Sequence, residues 1–122
     1  MSNLQALHEL PPRAIWEGVV ARAVEGELIT LAIVELPPGG LVPEHKHENE
    51  QIGLVIEGSV TFRIADQQRE FGPGGTWCVV GHTRHEVQAG AEGAVVVEAF
   101  SPVRSDWADA DAAPDGLPRW PG

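Results

Sequence analysis

The chain of 122 residues has a single cysteine, Cys78, which excludes an intrachain disulfide and a thiolate zinc cluster. It has one lysine, Lys46, and 18 Asp and Glu against 8 Lys and Arg, giving a net charge of −10. Nucleic acid and anionic membranes both bind basic faces, so this balance argues against either as a partner. Long apolar runs are missing too. Residues 28–34 form one of the longest, and it is far too short to cross a bilayer. The start, Met1-Ser2-Asn3-Leu4-Gln5, has no basic segment leading into an apolar stretch. The expectation is therefore no signal peptide and a cytoplasmic location. What is present is 43% hydrophobic residues and 21% charged ones, enough apolar material for one globular domain with a core.

A strong helical period is also lacking. From Ala14 the chain reads as short β-favouring runs broken by Gly and Pro. Residues 15–24 and 28–36 flank a Glu25-Gly26 hairpin turn, and Pro37-Pro38-Gly39-Gly40 is a loop. Residues 51–57 and 60–65 flank Gly58-Ser59, and Asp66-Gln67 and Phe71-Gly72-Pro73-Gly74-Gly75 are breakers. Residues 76–80, 85–89 and 94–100 complete about eight strands, the pattern of an all-β sandwich, barrel or jelly roll. The domain spans residues 14–104. Residues 1–13 form an N-terminal arm, and residues 105–122 an acidic tail rich in Pro and Ala, ordered where Trp107 or Trp120 finds a groove. The exposed edge of the first strand is a place where a second subunit could pair.

His45 and His47 lie one residue apart, and His85 follows downstream. In extended backbone, positions i and i+2 point to one face, so two imidazoles can aim at one point and a later strand can bring the third. The alternative is surface histidines in a polar loop. Gln51 shares the parity of the pair, whereas Glu48 and Glu50 face away as solvated charges; His8 and His82 belong to arm and loop. Gly39, His45-x-His47, Gln51 and Gly58, followed by Pro73-Gly74-Gly75 and His85, resemble the two motifs of the cupin superfamily. The resemblance covers roughly residues 25–100. It implies a double-stranded β-helix, the cupin jelly-roll barrel, and one divalent transition metal per chain (Ni, Zn, Mn or Fe) on His45, His47, Gln51 and His85. The usual glutamate is here Gln51. A neutral amide leaves the full charge on the ion, which favours Lewis-acid work over the carboxylate-bearing iron site of oxygenases.

Farther on, Val96, Glu98 and Phe100 share a face of one strand, and Arg104 lies just past its end. Glu98 is either turned into a cavity or on the outward face of an edge strand; Arg104 either meets a ligand or pairs with Asp106. The stretch from Phe100-Ser101-Pro102 through Arg104 and Asp106, with Glu50-Gln51-Ile52-Gly53, resembles the KdgF-type pectin-degradation cupins. That resemblance implies conversion of 4,5-unsaturated uronates to their linear keto form, with Glu98 and Arg104 catalytic and Phe100 and Arg104 binding the small anionic substrate. Glu98 replaces the family's aspartate, and Val103, Ser105 and Trp107 depart from its pattern, which bears on the substrate more than the fold. Opening a cyclic hemiacetal needs a proton shuttle, and a substrate carboxylate needs a bidentate cation. A homodimer is implied as well. The competing functions are a non-haem iron dioxygenase and a non-enzymatic cupin that binds a small ligand.

Overall fold

The computed structural model describes residues 3–114 and 116–122. Nine strands follow in chain order: β1 (Arg13–Trp16), β2 (Val19–Glu25), β3 (Thr30–Leu36), β4 (Leu41–His45), β5 (Glu50–Ile64), β6 (Gln67–Phe71), β7 (Thr76–Val79), β8 (His85–Ser101) and β9 (Asp111–Ala112). All pairings are antiparallel, in the order β6-β5-β8-β3-β2-β1-β9, with β4 on β8 and β7 on β5. Strand alternation builds the interior: in β3, Thr30, Ala32, Val34 and Leu36 are buried and the residues between them are not. Among the described residues no helix is long and apolar enough to cross a membrane.

The long strands β5 and β8 each serve two sheets. The first half of β5 pairs with β7 and with the second half of β8, which also pairs with β3. The second half of β5 pairs with β6 and with the first half of β8, which also pairs with β4. Two sheets sharing two bent strands close around one core, the expected double-stranded β-helix. The bend falls at register shifts between Val55 and Glu57 and between Gly58 and Val60. Gly58 has φ 76°, and a Cβ there would stand 2.1 Å from the Gly93 carbonyl oxygen, so only glycine passes.

Three details differ from the sequence expectation. The run 15–24 is two strands, because Gly18 at φ 73° reverses the chain between Trp16 and Val19. Gly58-Ser59 bends one continuous strand rather than turning between two, and 85–89 joins 94–100 in the same way. Alternation runs through a turn and a bend alike, so it does not distinguish them. The outer edge of β1 pairs at Arg13 and Ala14 with β9 of the same chain. The tail also docks by hydrogen bonds. Arg22, buried on the outside of β2, pairs with Glu35 at 3.3 Å and donates to the Gly116 carbonyl at 2.9 Å.

Candidate metal centre

The end of β4 lies against the start of β8, so His45 and His85 are direct cross-strand partners. His47 sits just beyond β4, and the donor atoms of the three rings all lie within 4.8 Å of one another. Each Nδ1 donates to a nearby carbonyl oxygen: His45 to Pro43 at 2.8 Å, His47 to Asn49 at 3.0 Å and His85 to Thr83 at 2.8 Å. These bonds set the tautomer and leave Nε2 as the lone-pair donor. Burial lowers the pKa of all three imidazoles, that of His85 to about 4, which keeps them in the neutral, ligating form. The Nε2 of His85 is buried without a hydrogen-bond partner.

The start of β5, paired with the end of β8 at Gln51 and Phe100, brings the Gln51 amide to the same point. Its Oε1 is 3.0 Å from Nε2 of His47, while its Nε2 donates to Glu98. Oxygen acceptors therefore stand on both sides of His47, which as a neutral imidazole has one proton to donate. A cation among these lone pairs resolves both the crowded acceptors and the orphaned nitrogen of His85. The donor set of three imidazoles and one amide oxygen fits a divalent transition metal. Glu48 and Glu50 are exposed, as expected, and His82 is an exposed loop residue whose backbone N–H donates to the His47 carbonyl.

Glu98 faces inward with Val96 and Phe100, so the parity argument holds. Its Oε2 accepts from Gln51 and, at 3.0 Å, from Trp77 Nε1. Both bonds fall on Oε2. Burial pushes this carboxyl above the usual range against the opposing pull of Gln51, Trp77 and the Arg104 charge. Gly53 lies between Glu98 and Trp77 across the strands, and a Cβ there would come within 2.8 Å of the indole. The missing side chain is what lets the indole reach the carboxylate.

Phe100 is buried, with its ring 6.0 Å from that of His47. Arg104 lines the same cavity, with its guanidinium carbon 4.8 Å from the Phe100 ring and 4.5 Å from the Trp107 ring. It also makes the ion pair with Asp106 considered from sequence, in bidentate form at 3.0 and 2.9 Å. The cavity of about 40 Å³ joins His45, His85, Gln51, Glu98 and Arg104. Sequence reasoning missed Trp77, whose signal is its inward parity with Val79. It also missed Trp16, 5.2 Å from His45, and Asn49, buried and donating to the Pro102 and Val103 carbonyls. No local pattern marks Asn49, since its partners lie far along the chain.

Comparison with known proteins shows the family of this fold. The cupin domain family model matches residues 32–100. The pectin degradation protein KdgF of Dickeya dadantii is 27% identical over 101 residues, covering 81% of this chain and 92% of that protein. The structure of KdgF from Halomonas sp. superposes with a TM-score of 0.79 at 24% identity, over 87% of this chain and 98% of that one. An oxalate decarboxylase of Bacillus subtilis superposes with a TM-score of 0.73 at 24% identity, over 84% of this chain and 30% of the other. The chain belongs to the cupin domain family and, within it, is similar to the KdgF proteins.

Proposed function

We propose that the protein is a metal-dependent enzyme that converts a 4,5-unsaturated uronate, or a similar small sugar acid, to its linear keto form. The observation that carries this reading is Glu98, a carboxylate turned into the cavity that His45 and His85 of the histidine triad line, with Arg104 in the same lining. His45, His47, His85 and Gln51 would hold the ion, and a divalent transition metal there supplies Lewis-acid polarisation of a substrate oxygen. Glu98 takes the proton of the anomeric hydroxyl. The bond from the anomeric carbon to the ring oxygen breaks, and the proton is delivered to the alkene carbon as the enol becomes a ketone. The overall change is redox-neutral, and all atoms stay in the product. Trp77 and Gln51 hold Oε2 of Glu98 so that Oε1 meets the substrate. Arg104 pairs with the substrate carboxylate, and Phe100 walls the ring. The test is to incubate metal-loaded protein with unsaturated galacturonate and follow the loss of its ultraviolet absorbance. Full activity in Glu98→Gln would remove Glu98 from the reaction. Oxygen uptake with Fe(II) would point instead to a dioxygenase, and a stabilising ligand recovered unchanged to a binding protein.

We also propose a cytoplasmic homodimer. A lone thiol at Cys78 suits a reducing compartment. Outside the sheet, Val24, Leu31, Ala99, Ile52 and Cys78 line up in register across β2, β3, β8, β5 and β7. Val24, Leu31 and Ile52 are 50%, 47% and 51% exposed. With Leu54 and Val80 nearby they open an apolar patch on the order of 400 Å², which a second copy of the same flat face would cover. Ile52→Glu should then elute as a monomer in size-exclusion chromatography, and a wild-type monomer would refute the dimer.

A further inference from the structure

Arg104 and Asp106 differ in how firmly each is held. The backbone N–H of Arg104 donates to Thr30 Oγ1 at 2.9 Å, and Asn49 holds the carbonyls of Pro102 and Val103. Thr30 and Asn49 are both buried, so the chain entering Arg104 is fastened to the barrel. The guanidinium lies against both the Phe100 and Trp107 rings, which also meet each other edge to face at 5.1 Å, and its side chain is 10% exposed. Asp106 has a side chain 63% exposed and sits in a 3₁₀ turn, Ser105–Asp109, that has no buried residue.

The cavity behind Arg104 is about 40 Å³, room for one or two waters. A six-carbon acid needs several times that, so to reach this cavity it must extend past Arg104 into the groove of about 330 Å³ that Trp16, Arg104, Asp106 and Trp107 line, or displace part of the wall. The 105–109 turn lines this cavity through Trp107 and the adjoining groove through Asp106 and Trp107, and it has no buried residue. Two oxygens of Asp106 already occupy Nε and Nη2 of Arg104, the two-pronged arrangement in which arginine receives a ligand carboxylate.

We infer that Asp106 is a resident stand-in for the ligand's carboxylate: it fills the bidentate face of Arg104 until an anionic ligand takes its place and the Ser105–Asp109 turn swings away. The inference rests on the proposal that Arg104 receives an anionic ligand, and it adds how the site selects one. An entering carboxylate replaces one charge-assisted pair with another, so Arg104 is never left uncompensated. A neutral sugar of the same shape would strand a mostly buried guanidinium, and is rejected. Asp106 thereby sets both specificity and affinity, because every anion must compete with it.

The test measures binding, not turnover. Titrate the full chain with galacturonate, tartrate and acetate, and with galactose as the neutral probe, by calorimetry and by tryptophan fluorescence. Asp106→Asn keeps the shape and removes the charge. It should bind at least one of the carboxylates about fivefold more tightly than wild type, with galactose no better bound. In wild type the same carboxylate should shift the emission as Trp107 leaves the guanidinium, and Trp107→Phe should lose that shift. Equal or weaker carboxylate binding by Asp106→Asn would overturn the inference and make Asp106 a residue that only positions Arg104. So would failure of every carboxylate to bind either protein. Tighter binding by Asp106→Asn together with no turnover of unsaturated galacturonate would sustain the inference and reject the proposed reaction.

Discussion

Trp77→Phe isolates the hydrogen bond that holds Glu98. The Trp77 ring stacks on Phe62 with centroids 4.7 Å apart at 27°, and it is 7% exposed. Phenylalanine keeps most of that packing. What it removes is Nε1–H, one of the two donors to Glu98 Oε2. A hydrogen bond to a charged, poorly solvated acceptor contributes roughly 1.5–3 kcal/mol, so a loss of about 2 kcal/mol is expected. With a urea slope of about 1.5–2 kcal/mol per molar for a chain this size, the unfolding midpoint falls by roughly 1 M. The same measurement on Glu98→Gln and on the double variant completes a cycle, and the coupling should be on the order of 1 kcal/mol or more. A loss below about 0.5 kcal/mol, or strict additivity, would show that the indole does not support the carboxylate and would refute the reasoning.

Metal should stabilise the folded chain by mass action. Zn²⁺ or Ni²⁺ at a hundredfold excess over its Kd contributes about 2.7 kcal/mol, so Tm should rise by about 10 °C and return on chelation. His85→Ala removes the buried donor, so scanning calorimetry should find little rise for it; an unchanged rise would place the ion elsewhere. Gly58→Ala forces a methyl to 2.1 Å from a carbonyl at a positive φ, and should lose at least about 3 kcal/mol in urea unfolding or fail to fold. Arg22→Ala strips Glu35 and the Gly116 carbonyl of their buried partner, and should cost about 3 kcal/mol by the same assay.

Much of the site was legible because β-structure carries side chains with a period of two. Alternation placed Val96, Glu98 and Phe100 on one face, and the pair of histidines two apart at one point, without any knowledge of what lay opposite. The glycine at 58 marked a place where the backbone changes course, although bend and turn look alike in sequence. Which strands face each other depends on register across the barrel, and register is a property of distant pairings. Only the folded chain brings His85 beside His45, lets Trp77 reach Glu98 through the space left by Gly53, and fastens Arg104 to Thr30 and the two residues before it to Asn49. Only it lays the tail along β1 and puts Asp106 on Arg104. The sequence by itself determined the strand pattern, the donor types and the direction each side chain leaves its own strand, since those are local. The tertiary structure decided which groups meet across strands and which are buried, because most of those contacts depend on residues dozens of positions away.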